Sequence, residues 1–111
     1  MKKNWMDQIK TIKHPKYKSI ATVIDDIRFP SRKEANRYVE LKLLKQAKEV
    51  KFFVRQVRFD LPGKTKYLLD FMVFWQDGTI TYEDVKGMKT PMYIMKKKQV
   101  ESLYPIEITE I

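Results

Sequence analysis

The chain has 111 residues, which suits one compact domain, and 43% of them are hydrophobic. It has no cysteine, which excludes disulfides and thiolate-bound zinc or iron–sulfur sites. Lys and Arg number 23 against 14 Asp and Glu, and this net charge of +9 favours a polyanionic partner; general solubility is the alternative explanation. No apolar run approaches the ~20 residues that span a bilayer, and no signal-peptide pattern is present, so we expect a cytoplasmic protein without a membrane partner.

The first 19 residues are polar and basic, and we interpret residues 1–19 as an arm that precedes a domain at 20–111. One face of a short helix is indicated by Trp5, Met6 and Ile9. The following run KTIKHPKYKS is expected to be an arm or loop, because Pro15 interrupts it.

A β-hairpin and a helix are predicted next. Residues 20–29, IATVIDDIRF, place two β-branched or aromatic runs around Asp25-Asp26, a favoured turn pair. Residues 31–49 form the clearest helix, since Ser31 is a good N-cap and Glu34 follows at the capping-box spacing. The sequence from Glu34 to Glu49 contains strong helix formers and no Gly or Pro.

Three strands and a second helix follow. Strands are predicted at residues 50–61, 66–75 and 79–86, joined by turns at Pro62-Gly63 and Asp77-Gly78. The middle strand is almost continuously apolar, which is typical of a strand covered on both faces.

Thr90-Pro91 begins the second helix, which is expected to run to about Tyr104 before Pro105. The last residues, IEITEI, alternate like a strand. The order α-β-β-β-α-β after the hairpin predicts an α/β fold with a mixed sheet flanked by helices.

Asp70 interrupts the apolar middle strand, where an unpaired carboxylate would be costly. We therefore expect either an ion pair with a lysine or a bound cation. Asp84 and Lys86 lie two apart on the next predicted strand, so their side chains share a face. The short connection brings Asp84 near Asp70, and two oxygen ligands suit Mg²⁺ or Mn²⁺. A cross-strand ion pair with Lys86 is the alternative.

Glu34 is a further candidate, because it shares a helical face with Tyr38 and Leu41 and is expected to look toward the sheet. Its capping role alone also explains the residue. Phosphate contacts are a further prediction, with a solvated surface as the alternative, for Arg55, Arg58, Lys89, Lys96, Lys97 and Lys98.

A glutamate on the first helix, an aspartate on the second core strand and (Asp/Glu)-x-Lys on the third occur here in FPSRKEANRY, LLDF and YEDVKG. This pattern resembles the PD-(D/E)xK nucleases over about residues 20–111. It is most similar to short phage and prophage proteins described as Holliday-junction-resolvase-like. The resemblance implies a restriction-endonuclease-like αβββαβ core preceded by a β-hairpin.

The resemblance also implies a function, a Mg²⁺-dependent endonuclease that hydrolyses DNA, with branched recombination intermediates as expected substrates. Glu34, Asp70 and Asp84 would hold Mg²⁺ or Mn²⁺, while Lys86 would position or deprotonate the attacking water, leaving a 5′-phosphate and a 3′-hydroxyl. Gln56 resembles a glutamine of related nucleases that contacts water or phosphate; an ordinary strand residue is the alternative. Resolution of a four-way junction needs paired cuts and hence a homodimer.

Two positions depart from the family pattern. Leu69 stands where the family name has proline, and Glu83 beside Asp84 leaves the frame of the motif open. Strand alternation favours Asp84, because Glu83 would face away from Lys86, although a bulge would reverse this choice. A non-catalytic nucleic-acid-binding module on the same fold and a small basic phage interaction protein are the competing interpretations.

Overall fold

A computed structural model of the protein describes residues 10–13 and 20–111. The predicted helical face of Trp5, Met6 and Ile9 lies outside the described residues, as does Pro15. The chain divides into two compact units, the first ending at Leu43 and the second covering Leu44–Ile111. In chain order the elements are β1 (Lys10–Lys13), β2 (Ile20–Ile24), β3 (Ile27–Phe29), α1 (Arg32–Gln46), β4 (Val50–Leu61), β5 (Thr65–Trp75), β6 (Ile80–Asp84), α2 (Pro91–Leu103) and β7 (Ile108–Glu110).

The first unit contains an antiparallel sheet of order β1-β2-β3, and the predicted hairpin is confirmed as β2 and β3. Its turn residues Asp25 and Asp26 have φ values of 52° and 62°, as a two-residue type I′ turn requires. The carboxylate of Asp25 accepts hydrogen bonds from Lys42 Nζ at 2.6 Å and Tyr38 Oη at 2.8 Å. These bonds, that of Lys42 first, lower the pKa of Asp25 and tie the turn to α1.

β1 was not predicted, since the sequence indicated an arm or loop at these residues. The prediction is wrong for Lys10–Lys13, which pairs antiparallel with β2 so that Lys10 lies opposite Val23 and Lys13 opposite Ile20. The physical reason is long-range: β2 offers a row of backbone donors and acceptors, and an extended segment satisfies them whatever its charge.

α1 begins as predicted, with the N–H of Glu34 donating to Ser31 Oγ at 3.1 Å. It ends at Gln46, three residues before the predicted end at 49. Lys48 adopts φ 62°, Lys48 N donates to Lys45 O, and Glu49 N donates to Leu44 O. These two bonds form a Schellman motif, in which a left-handed residue stops the helix without glycine.

The second unit contains a four-stranded sheet of order β4-β5-β6-β7. β4, β5 and β6 are antiparallel neighbours, and α2 carries the chain back so that β7 lies parallel to β6. The predicted α-β-β-β-α-β order and mixed sheet are therefore confirmed.

α2 packs on one side of this sheet. Its N-cap Thr90 accepts a hydrogen bond from Tyr93 N at 3.1 Å, and Pro91 occupies the first turn, as predicted. The helix buries Tyr93 and Val100 in an apolar cluster with Leu61, Tyr67, Leu69 and Ile108. Over the described part of the chain, neither helix combines the length and apolar character needed to cross a membrane.

Candidate functional site

β5 is buried along both faces around its single acidic residue. Leu69, Asp70 and Phe71 are consecutive, and their exposed fractions are 0%, 6% and 0%. The prediction that the strand is covered on both faces is therefore confirmed at these three residues, whereas Lys66 and Leu68 nearer the start of β5 are exposed. Asp70 is therefore a carboxylate held in the interior, where its charge must be balanced by hydrogen bonds or by a cation.

Asp70 and Asp84 interlock through backbone and side-chain atoms. The N–H of Asp70 donates to Asp84 Oδ1 at 3.2 Å, and the N–H of Val85 donates to Asp70 Oδ2 at 2.9 Å. The sequence predicted a strand to residue 86, but β6 ends at Asp84. It ends there because the next N–H serves the Asp70 carboxylate rather than a neighbouring strand.

The second oxygen of Asp84 has no protein partner. The side chain is fully buried, and its Oδ2 has no hydrogen bond among the described residues. Burial raises the pKa of Asp84 to about 6, and the positive charge of Lys86 is the largest influence in the opposite direction. Within the described ranges, neither Asp84 nor Asp70 forms an ion pair with Lys or Arg. The expected alternative of a structural salt bridge is therefore absent from the described residues.

Lys86 follows β6 and is held against an aromatic ring. Its Nζ lies 5.1 Å from the centre of the Tyr93 ring, a cation–π distance. Tyr93 is 8% exposed, and its hydroxyl donates to Glu110 Oε2 at 2.9 Å. Burial, followed by the bond to Glu110, raises the pKa of Tyr93, so this phenol stays protonated and cannot act as a base at neutral pH.

Glu110 brings a third acidic side chain near the pair. It lies on β7 directly opposite Asp84, and its pKa is lowered first by the hydrogen bond from Lys89 and then by that from Tyr93. Tyr93 and Glu110 were not singled out from the sequence. The sequence does place Tyr93 three residues after the predicted N-cap Thr90, in the first turn of α2. The position of Glu110 opposite Asp84 becomes known only from the pairing of β7 with β6.

The two carboxylates fit a hard divalent cation. Asp84 Oδ2 has no donor among the described residues, and each oxygen of Asp70 accepts a single hydrogen bond, from Val85 or Gln56. Among the described residues, no group of three or more His, Cys, Asp or Glu is arranged to hold a metal. Two carboxylates with water or substrate oxygens completing the shell is a common arrangement for Mg²⁺.

Glu34, the third predicted ligand, belongs to the first unit. It is buried in the first turn of α1 and is 4% exposed. Four of the predicted site residues therefore lie in the second unit, namely Asp70, Asp84, Lys86 and Gln56. Glu34 lies in the first unit.

Glu83 and Asp84 have different surroundings, which bears on the open frame of the motif. Glu83 Oε2 accepts a hydrogen bond from Thr81 Oγ1 at 3.2 Å, and that hydroxyl accepts one from Trp75 Nε1 at 2.9 Å. Glu83 therefore has hydrogen-bonding partners within the sheet. Asp84 has the unpartnered oxygen and the neighbouring lysine, which favours Asp84 as the acid of the motif.

Gln56 lies opposite Asp70 but is not an ordinary strand residue. Its φ is 52°, a left-handed conformation in the middle of β4, and its Nε2 donates to Asp70 Oδ1 at 3.3 Å. The left-handed region costs a residue with a Cβ about 1–2 kcal/mol. Backbone strain of this kind gathers at functional sites, where the surrounding structure maintains it. No local sequence signal indicates this conformation.

The strain at Gln56 predicts a reversed ranking of two substitutions. Gln56→Ala and Gln56→Gly both remove the hydrogen bond to Asp70, but glycine accepts φ 52° without a Cβ penalty. We expect Gln56→Gly to be more stable than Gln56→Ala by about 1 kcal/mol. At Arg58, a strand position outside the left-handed region, glycine should instead be worse than alanine by roughly 0.5–1 kcal/mol. Urea denaturation of the four variants measures both differences, and the usual ranking at both positions would contradict the strain.

The predicted phosphate-binding residues fall into distinct environments. Lys89 and Lys97 approach Glu110 Oε1 at 3.1 Å and 3.7 Å, and Arg58 pairs with Asp60 at 2.8 Å. Lys96 donates to the backbone oxygen of Lys66 at 3.3 Å. The remaining two are the half-buried Arg55 of β4 and the exposed Lys98 of α2.

Comparison with known sequences adds a family without a described activity. No curated protein matches the chain. The profile of DUF1064, described as a protein family of unknown function, matches residues 14–109, which include every element from β2 to α2 and the whole Asp70–Asp84–Lys86 group. The chain therefore belongs to DUF1064, a family of proteins of unknown function.

Proposed function

We propose that this protein is a metal-dependent nuclease of the PD-(D/E)xK type that hydrolyses DNA phosphodiester bonds. The observation that carries the proposal is the pairing of Asp70 with Asp84. The buried Oδ2 of Asp84 accepts no hydrogen bond from the described residues, and the charge of Lys86 lowers the pKa of Asp84. A buried carboxylate pair that forms no ion pair with Lys or Arg among the described residues costs free energy of folding, and binding a cation would offset that cost.

Each side chain has a role in this proposal. Asp70 and Asp84 would hold Mg²⁺ or Mn²⁺, and Gln56 would fix the orientation of the Asp70 carboxylate through its hydrogen bond. When bound, the cation would supply charge stabilisation at the phosphate and acidify the attacking water. Lys86 would direct its ammonium group toward the charge that develops on the phosphate, or would accept the proton of the water.

The contact with the Tyr93 ring restricts the position of the Lys86 ammonium group. Because the pKa of Tyr93 is raised and that of Glu110 is lowered, this support keeps one protonation state across neutral pH. The neutral phenol, hydrogen-bonded to Glu110, supports the lysine without competing for its proton.

Cleavage of defined substrates tests the proposal. Wild-type protein is expected to nick or cut labelled single strands, flaps, duplexes or four-way junctions in Mg²⁺ or Mn²⁺, and to leave them intact in EDTA. Products should carry a 5′-phosphate, which a ligase detects by resealing a nick. No cleavage of any of the four substrates with either metal would exclude the nuclease.

A non-catalytic nucleic-acid-binding module is the second candidate. It is favoured by one observation, that no group of three acidic, histidine or cysteine ligands is arranged for a metal among residues 10–13 and 20–111. This candidate predicts DNA binding that is no tighter in Mg²⁺ than in EDTA, because Mg²⁺ competes for the phosphates. The nuclease predicts that the metal increases both DNA binding and stability.

A further inference from the structure

An open groove of ≈ 250 Å³ lies beside Lys86, between the start of β5 and the start of α2. Three lysines line it, namely Lys66, Lys86 and Lys96, and none of its lining residues is acidic. Like charges gathered around one concavity repel each other unless an anion lies between them. A groove of this volume is far larger than the ~30 Å³ that one water molecule occupies.

Lys66 and Lys96 differ from Lys89 and Lys97 in their distance from carboxylates. Lys89 and Lys97 are both close to the Glu110 carboxylate. Lys66 and Lys96, by contrast, have no carboxylate within ion-pair distance among the described residues. The bond from Lys96 Nζ to the Lys66 backbone oxygen keeps the Lys96 ammonium group at the rim of the groove.

The groove also exposes apolar side chains beside these ammonium groups. Leu68 and Met92 both line it, with exposed fractions of 42% and 62%. A surface that combines cationic and apolar groups matches an unpaired nucleic-acid strand, which offers phosphates together with sugar and base faces. In a duplex the base faces are stacked and cannot reach such side chains.

We propose that this groove binds the phosphate backbone of an unpaired DNA strand next to the bond that is cleaved. Lys66 and Lys96 contact phosphates outside the reacting centre, and Lys86 connects the groove to the carboxylate pair. The inference rests on the proposed function for the identity of that neighbouring centre. Strand binding itself is measurable without any cleavage.

The test is equilibrium binding of a fluorescent 20-nucleotide single strand in EDTA, followed by anisotropy across a salt series. The double variant K66Q/K96Q is compared with K45Q/K51Q, which removes the same charge from exposed lysines outside the groove. Two lost phosphate contacts should lower the salt slope for a single strand by about 1.4, which corresponds to about 25-fold weaker binding at about 0.1 M salt.

The control double variant should bind within about twofold of wild type, because isolated surface charges contribute little at this salt concentration. Wild type should bind the single strand more tightly than the same sequence in a hairpin duplex. General electrostatic attraction alone gives the opposite order, since a duplex has the denser charge. Circular dichroism of each variant verifies that it is folded.

The outcomes separate this inference from the proposed function. Equal losses in the two double variants, or tighter binding of the duplex, would overturn the groove assignment whether or not the protein cleaves DNA. If only K66Q/K96Q loses binding and the protein never cleaves DNA, the groove assignment is supported and the proposed nuclease function is contradicted.

Discussion

Replacing Asp84 with asparagine is expected to abolish metal-dependent cleavage while making the protein more stable, relative to wild type, as the pH rises toward neutral. The cleavage loss should exceed about 100-fold, because changes to groups that only support metal ligands already cost 10- to 100-fold. Asp60→Asn is the matched control, since it makes the same substitution at an exposed carboxylate on β4. Its activity should remain at the wild-type level.

The stability effect follows from the pKa of Asp84. This pKa is raised from 3.8 to about 6 in the folded protein. Between these two pH values the folded state therefore retains a proton that the unfolded chain has released. The contribution of Asp84 to wild-type stability therefore falls as the pH rises from 3.8 to about 6, because this carboxyl group ionises more easily in the unfolded chain. Asparagine does not titrate and removes this dependence.

Urea denaturation in EDTA at about pH 4 and pH 7 measures the effect. Between these pH values the free energy of unfolding of Asp84→Asn should rise by up to about 3 kcal/mol relative to wild type, at 1.36 kcal/mol per pKa unit. The amide group of asparagine changes the free energy of unfolding by the same amount at both pH values. Comparing the two pH values therefore cancels this fixed cost. A difference between the two proteins that does not change with pH would show that Asp84 titrates as an exposed carboxyl group does.

Mg²⁺ should stabilise wild type and should not stabilise Asp84→Asn. At a concentration about 100 times its Kd, a ligand that binds only the folded state adds about 2.7 kcal/mol to the free energy of unfolding. We expect this gain in wild type and in Asp60→Asn, and its loss in Asp84→Asn. Glu83→Gln distinguishes the two frames of the motif, since loss of the gain there and its retention in Asp84→Asn would assign the metal to Glu83.

The element order could be predicted because its signals are local. Thr90-Pro91 caps and starts α2, Ser31 caps α1, and Asp25-Asp26 forms the hairpin turn. Each depends on the preference of one or two residues for a backbone conformation. The end of β6 at Asp84 could not be predicted in this way, because it depends on the Asp70 carboxylate taking the next N–H from another strand.

The same distinction between local signals and long-range contacts applies to the candidate site. Asp70, Asp84 and Lys86 were found because a charge within an apolar strand and an acid two residues from a lysine are visible in the sequence. The left-handed backbone of Gln56 was not visible, since glutamine carries no preference for it. The grouping of Lys66 with Lys96 was also hidden, because it joins β5 to α2 over 30 residues of chain.

Replacing Lys86 with methionine is expected to stop cleavage while leaving the metal-induced gain in stability intact at about pH 8. Methionine keeps most of the length of the side chain and removes only the charge, so the loss should be about 10²- to 10³-fold, as for one group that stabilises transition-state charge. Lys51→Met, at an exposed position of β4, is the control and should cleave normally. Turnover near the wild-type rate in Lys86→Met would remove the ammonium group from the chemistry.

Lys86→Met is also expected to change the pH dependence of metal binding. Because Lys86 lowers the pKa of Asp84, its removal should move that pKa above about 6, and protons should then compete with Mg²⁺ over a wider range. The metal-induced gain in stability should therefore be smaller in Lys86→Met than in wild type at about pH 6, where Asp84 is titrating.

Arginine at position 86 separates the two roles proposed for the lysine. A guanidinium group stacks on an aromatic ring such as Tyr93 and restores the positive charge, but its pKa above about 12 prevents it from accepting a proton. Recovery of cleavage in Lys86→Arg to within about tenfold of wild type would assign Lys86 to charge stabilisation. Activity as low as that of Lys86→Met, with the gain in stability from Mg²⁺ unchanged, would assign it to proton transfer from the attacking water.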